Sequence, residues 1–371
     1  MSKTLQDYAT LINDTIQSNE INHYITTDNM CQNLGGIDTF KNINIPQGKV
    51  RSFQKDDVLL SNIRLYFRKV YRAKQKGGCS SDVLVFRAKH IDSTTLFAIL
   101  SSQIFTDYAC SGSQGSKMPR GNKTHMMDFK IPTINFTIAK IFNSIQNKIE
   151  NNHKINELLH KILELLYEQY FVRFDFLDEN NKPYQTSGGK MKFSKELNRL
   201  IPNDFEVKTL GELTQLKVGN KNANHSSDQG KYPFFTCSNN PLRCETYQFE
   251  GKHIIISGNG NFYVTHYDGK FDAYQRTYVV NPNNPNHYVL IYLFVKSYTN
   301  YLKLQSRGSI IKFITKSDIE NIKIVLPNLK TYTKWNNVLK MIENNNQATQ
   351  TLTALRDFLL PLLLKQQVKP K

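Results

Sequence analysis

Ile149-Glu150-Asn151-Asn152 and Ile342-Glu343-Asn344-Asn345 spell the same four letters 193 positions apart, each inside a long segment of helical periodicity. Around the first, side chains step by four and three: Ile138, Phe142, Ile145, Ile149, then Asn152 and Asn156, then Leu159, Leu163, Leu166 and Tyr170. Around the second stand Trp335, Val338, Ile342, Asn345, Thr349, Leu352, Leu359 and Leu363, with Leu355 and Phe358 widening the stripe. Such spacing is a heptad seam, and a seam requires a partner. A single helix of this kind more often packs on a neighbouring domain. Two copies with Asn at the matching position favour helices that pair with each other, because a buried seam Asn is satisfied only opposite a polar mate. If residues 138–170 are helical throughout, the rod is about 50 Å long at 1.5 Å per residue.

The duplication extends beyond the helices. Ser113-Gln114-Gly115-Ser116 precedes a strand-like run ending Phe129-Lys130-Ile131-Pro132, and Ser306-Arg307-Gly308-Ser309 precedes Ile322-Lys323-Ile324-Val325-Leu326-Pro327, again about 193 apart. Asp57-Val58-Leu59-Leu60-Ser61 matches His253-Ile254-Ile255-Ile256-Ser257, and Lys3-Thr4-Leu5 matches Lys208-Thr209-Leu210. A period of half the chain means one large unit present twice, not a solenoid, whose repeats run to about 20–50 residues. Within each unit, short β-branched and aromatic runs such as Asp82-Val83-Leu84-Val85-Phe86 and Tyr278-Val279-Val280 are cut by Gly, Asn and Pro clusters. The expected class is α+β: two β-rich globular domains, each followed by a long helix, with pseudo-twofold internal repetition.

A chain of 371 residues is long enough for two cores. Its 48 Lys and Arg against 31 Asp and Glu leave +17, and with 19 Tyr and 22 Phe this suits a polyanion met with aromatic contacts. Five cysteines, Cys31, Cys79, Cys110, Cys237 and Cys244, form an odd set without C-x-x-C spacing, which argues for reduced thiols. Of nine histidines, His23, His90, His125, His225 and His287 show no ligand spacing, and His153 and His160 lie on the first helix; no metal site is expected. No leader and no apolar run of about 18 residues is evident, so the expectation is a soluble, cytoplasmic protein without membrane contact.

The run Leu352-Thr353-Ala354-Leu355-Arg356-Asp357-Phe358-Leu359-Leu360-Pro361-Leu362-Leu363 resembles the end of the specificity subunit of type I restriction-modification systems. So do Ser61-Asn62-Ile63-Arg64 followed by Gly77-Gly78-Cys79-Ser80-Ser81-Asp82-Val83-Leu84-Val85-Phe86, and Gly115-Ser116-Lys117-Met118-Pro119-Arg120-Gly121. The resemblance covers nearly the whole chain. It implies a target-recognition domain over 1–134, a spacer helix over 135–175, a linker over 176–206, a second recognition domain over 207–327 and a second spacer helix over 328–371. It further implies that the helices pair antiparallel as a coiled-coil spacer with seam residues Ile145, Ile149, Asn152, Leu159, Leu166, Trp335, Val338, Ile342, Asn345, Leu352 and Leu359. Each domain then reads half of an interrupted site on double-stranded DNA. Two methyltransferase subunits and a restriction subunit are the implied protein partners. The chain itself is implied to be non-catalytic, with S-adenosylmethionine, ATP and Mg on those partners. The residues agree: no Asp/Asn-Pro-Pro-Tyr/Phe or Walker-type motif occurs, Asn239-Asn240-Pro241-Leu242 being among the nearest strings. A methylation-only enzyme or a type II system with a separate specificity chain would need the same features. A freestanding regulator would more often carry a helix-turn-helix.

Candidate DNA contacts are drawn from five places along the chain. Lys117, Arg120 and Lys123 lie beside Gly115, Pro119 and Gly121, a loop composition, and Arg64, Arg68, Lys69 and Arg72 interleave with Tyr66, Phe67 and Tyr71. In the second half Asn259, Asn261, Tyr263 and His266 offer amide and ring groups, and Arg276, Arg307 and Lys312 offer charge. Asn pairs bidentately with adenine and Arg with guanine in the major groove. Ser257-Gly258-Asn259-Gly260-Asn261 looks like a cofactor-phosphate loop, but Tyr263 replaces the third glycine and strand chemistry follows. Its expected role is a tight turn after Ile254-Ile255-Ile256, with Ser61-Asn62-Ile63-Arg64 as counterpart.

Overall fold

A computed structural model describes residues 3–364 apart from 40, 42, 132, 239 and 328–332. Pro132 and Asn239, which the sequence reading used, lie outside the described residues. The chain divides into two compact units, one of residues 1–155 with 344–371, the other of 156–343. Both long helices, Phe136–Tyr167 and Thr333–Leu359, change unit along their length.

In the first unit, an antiparallel sheet runs in the order Ala9–Ile12, Val83–Ala88, Val58–Ser61, Val70–Arg72. Val83-Leu84-Val85-Phe86 has no polar face because both faces are covered. Val58, Leu60, Leu84 and Phe86 enter a core shared with the helix Ser93–Leu100, with Phe142 and with Leu360, Leu363 and Leu364 from the far end of the chain. Leu59, Val83 and Val85 enter a smaller core with Ile25 and Phe53, under a second four-stranded sheet.

In the second unit, a six-stranded sheet runs Thr214–Val218, Thr277–Pro282, Phe249–Ser257, Val264–Ala273, Tyr232–Phe235, Leu242–Cys244. Parity divides its residues in the same way: Ile254, Ile256 and Val280 face the large core with helix Tyr288–Gln305, while Ile255 and Val279 face a small one with Phe235 and Phe271. The segment expected as a linker is folded. It holds a hairpin, Met191–Ser194 with Arg199–Pro202, and sends Ile201 and Phe205 into this unit's core.

The seam residues Ile145, Ile149, Asn152, Trp335 and Ile342 are buried, and Leu159, Leu166, Val338, Asn345, Leu352 and Leu359 are half-buried. Within the first unit the Asn152 amide donates to the Thr349 hydroxyl at 3.1 Å, the polar mate its position requires. Within the second, Asn156 donates to the Ile342 carbonyl at 3.4 Å, and Tyr170 and Phe171 set their rings edge-on to Trp335. One expectation needs correction. Leu355 and Phe358 do not widen the stripe; they are 45% and 69% exposed, and Arg356, 2% exposed, occupies the position between them.

The IENN glutamates act alike. Glu150 reaches Lys74 at 3.4 Å, and Glu343 reaches Lys252 at 3.0 Å, each tying a long helix to the strand-rich part of its own unit. All five cysteines are free thiols, Cys79 and Cys244 buried and the others half-buried. Among the described residues no helix is long and apolar enough to cross a membrane.

Candidate nucleic-acid interface

The loop Gln114–Arg120 is closed on itself by paired backbone hydrogen bonds, Gln114 N–H to the Arg120 carbonyl at 2.9 Å and the reverse at 2.8 Å. Its turn depends on Gly115 at φ +96°, a conformation that L side chains rarely adopt. Two further bonds fasten it to the stretch after the Val58–Ser61 strand: Arg64 N–H to the Pro119 carbonyl at 2.9 Å and Gly121 N–H to the Asn62 carbonyl at 3.1 Å. Ser116, Lys117 and Met118 are thereby held out in solvent.

The same geometry recurs 193 residues on. Arg307 and Phe313 exchange bonds of 3.0 and 2.9 Å, the turn rests on Gly308 at φ +100°, and Ser309, Ile310, Ile311 and Lys312 stand exposed. Gly260 N–H donates to the Lys312 carbonyl at 2.8 Å and Ile314 N–H to the Gly258 carbonyl at 2.9 Å, so the Gly258–Gly260 stretch fastens this loop as Asn62–Arg64 fastens the first. Gly258 is needed for close approach, since a Cβ there would lie 2.5 Å from the Arg276 carbonyl oxygen and 2.7 Å from the Tyr278 ring, and Gly260 for its φ of +73°. They hold a loop in place, which replaces the phosphate-cradle reading.

A third correspondence lies at the strand entries. Thr4 N–H donates to the Asp7 carboxylate at 2.7 Å and Thr209 N–H to Glu212 at 2.6 Å. Leu5 and Leu210 then donate to the Phe129 and Ile322 carbonyls at 2.9 and 2.8 Å.

The candidate cations fall into two groups. Lys117, Arg120, Lys123, Arg276, Arg307 and Lys312 are exposed, as is Asn261; Asn259 and Tyr263 are half-buried beside them in sequence. Arg120 and Arg307 are steadied by Asp82 at 3.0 Å and Asp318 at 3.3 Å while remaining 61% and 63% exposed, so both guanidiniums keep free donors. By contrast, the patch around residue 68 is largely used by the fold. Arg68 donates to the Ser101 carbonyl at 3.0 Å, Lys69 to the Thr27 carbonyl at 2.6 Å and Arg72 to Asp56 at 2.7 Å. Burial pulls both Arg68 and Lys69 below their ordinary pKa values. From this patch Tyr66, 53% exposed, and the half-buried Arg64 remain to face solvent.

His266 belongs to a different environment. Its side chain is 10% exposed, 3.6 Å from Glu343 and 4.9 Å from the Tyr292 ring centroid, and burial lowers its pKa to about 3. At neutral pH the ring is uncharged, and 3.6 Å is too long for a hydrogen bond. Lys252, not His266, is the ion-pair partner of Glu343. Alternation along Val264–Ala273 put His266 on the sheet face packed by the helix Tyr288–Gln305.

Comparison with known proteins agrees with this geometry. The family model for the type I restriction modification DNA specificity domain matches residues 202–355. The chain is similar to the type I restriction enzyme EcoDI specificity subunit of Escherichia coli, 32% identical over 181 residues, which are 45% of this chain and 39% of that protein. It is 24% identical over 301 residues to the MjaIX specificity subunit of Methanocaldococcus jannaschii, covering 72% of this chain and 67% of the relative. The match thus spans well under half the length of the first of these relatives. In fold, the chain is similar to the crystal structure of the type-I restriction-modification system S subunit from M. genitalium, with TM-score 0.63, 16% identity, and coverage of 99% and 96% of the two chains.

Proposed function

We propose that the chain is a type I restriction-modification specificity protein, as the match of residues 202–355 to that domain supports, and that it is the DNA-reading subunit of such an enzyme. Each unit reads one half of an interrupted duplex site. The chain catalyses nothing and docks two methyltransferase subunits and a restriction subunit, which carry S-adenosylmethionine, ATP and Mg. The observation that carries this reading is the loop fastened in one hydrogen-bond register in both units, each time with exposed cations on or beside it. An internally duplicated protein that presents equivalent loops suits a target with two parts.

On this reading Lys117, Arg120 and Lys123 with Arg64 contact the first half-site, and Asn259, Asn261, Tyr263, Arg276, Arg307 and Lys312 the second. Arg120 and Arg307 are the best placed to read bases, since a steadied guanidinium presents a bidentate fork to guanine. The long helices form the spacer: 32 and 27 residues give about 48 and 40 Å of helix, against about 34–36 Å for a turn of duplex.

Co-expression with an adjacent methyltransferase tests the proposal. The expected result is a stable complex and N6-methyladenine confined to one interrupted motif in the host genome. An uninterrupted motif, or a chain that binds no methyltransferase, would overturn it.

A further inference from the structure

Away from the loops, the second unit brings together three side chains that are 19 and 28 residues apart in sequence: His225, Cys244 and Asp272. The sheet register does this. Tyr232–Phe235 pairs antiparallel with Leu242–Cys244 and parallel with Val264–Ala273, placing Cys244 opposite Tyr232 and Asp272 opposite Phe234. Those positions share a parity, so both side chains leave the sheet on one face. The segment carrying His225 closes over that face because Gly230 has no side chain; a Cβ there would lie 2.3 Å from the Cys244 backbone nitrogen.

One imidazole nitrogen, the thiol sulfur and a carboxylate oxygen lie within 4.8 Å of one another. Cys244 and Asp272 are fully buried, while the His225 side chain is 25% exposed. Asp272 Oδ2 accepts from the Thr246 hydroxyl at 2.5 Å and lies 3.3 Å from His225 Nε2. Asp272 Oδ1 is buried without a hydrogen-bond partner. A carboxylate removed from water with one oxygen unserved is costly, and such an atom calls for a cation.

We propose that His225, Cys244 and Asp272 bind a zinc ion, with the fourth position taken by a water that enters past the His225 ring. Thiolate, imidazole and carboxylate form a donor set that tetrahedral zinc accepts. Bond lengths of about 2.0–2.3 Å require donor atoms about 3.3–3.6 Å apart, so side-chain rotation closes the site. On binding, the thiol proton is released to solvent and the ion serves Asp272 Oδ1, while Oδ2 keeps the Thr246 hydroxyl. The ion would pin the edge strand Leu242–Cys244 and the turn at His225 to the body of the sheet.

The test uses the full chain, stripped with a chelator and titrated with cobalt as a spectroscopic stand-in for zinc. The expected result is a thiolate-to-cobalt charge-transfer band in the near ultraviolet that saturates at one equivalent and is displaced by zinc. Cys244→Ser should abolish the band and Cys237→Ser should keep it. His225→Ala, which alters a partly exposed residue and spares the core, should weaken binding by more than about tenfold. Zinc should raise the melting temperature of the wild type and not of Cys244→Ser. Absence of the band, or a band that survives Cys244→Ser, would leave the hydrogen-bonded cluster of His225, Thr246 and Asp272 as the content of the site and refute the proposal.

Discussion

Arg356 stands in the seam of the second long helix, where Leu352 and Leu359 lie seven positions apart. Its guanidinium donates to the Asn33 carbonyl at 3.2 Å, Gln146 Oε1 at 3.3 Å and Asp357 at 3.0 Å, and Gln146 in turn donates to the Leu34 carbonyl at 2.5 Å. Arg356→Ala therefore strands acceptors in the interior and should cost about 1–3 kcal/mol in urea unfolding. Arg356→Lys should recover little of it, because an ammonium lacks the planar fork. Heptad counting could not find this residue, since an arginine scores as a break in an apolar pattern. His266 escaped for the opposite reason: a polar ring beside a glycine-rich turn reads as a ligand, and only the packing of the sheet shows that it faces inward. Its folded pKa lies below the unfolded value, so its contribution is complete above about pH 6.5 and is lost as pH falls toward 3, by up to about 1.4 kcal/mol per unit. Lys252, Lys296 and His160 push in the same direction by repulsion. His266→Gln should flatten the acid limb of a stability-versus-pH curve, and parallel limbs would show that burial of this ring does not control it. At the proposed DNA surface, Arg120→Ala or Arg307→Ala should cost about 1–3 kcal/mol and relax specificity in one half-site. Lys117→Ala should weaken all sequences alike and reduce the salt slope by about 1.

At the scale of elements, the strands and helices were legible where a simple period governs them. Val58-Leu59-Leu60 and Ile254-Ile255-Ile256 are apolar on both faces, and both faces proved to be covered. The helix seam was legible because Asn152 and Asn156 keep its phase through a polar interruption. The hairpin Met191–Pro202 was not: Lys190, Lys192, Lys195 and the Gly188-Gly189 pair give it the composition of a connector. The loops were half legible. Their glycines and cations were evident, yet the carbonyls that fasten them are tertiary partners that no local pattern reveals. Gly258→Ala should loosen the second loop by driving a methyl into the Arg276 carbonyl, at a cost of about 1–3 kcal/mol. Heat or denaturant unfolding reports that cost, and DNA binding should fall with it.

For the whole molecule, the proposed division of labour predicts separable halves. Exchanging residues 207–327 for those of a relative should alter one half of the methylated motif only; alteration of both halves would contradict it. Lengthening each long helix by one turn, about 5.4 Å, should widen the gap between half-sites, read directly from methylome sequencing. The basic surplus of +17 predicts affinity that falls steeply with salt. The expectation of a duplication rests on matched letters, of which the Ile-Glu-Asn-Asn and Gly-Ser landmarks share one offset of 193. The exchange of units along each helix was not readable, because no local signal says where along a helix its packing partners change.

That exchange has a bearing on synthesis. The core around Phe86 and Phe142 includes Leu360, Leu363 and Leu364, so this unit begins before the other in translation and is completed after it. Residues 156–343 hold a complete set of their own core contacts before residue 344 is made. On a ribosome advancing at about 5–20 residues per second, the amino-terminal half waits with an open hydrophobic cleft while its sibling folds. A truncation before residue 360 would thus damage the core built around Phe86 and Phe142, far from it in sequence.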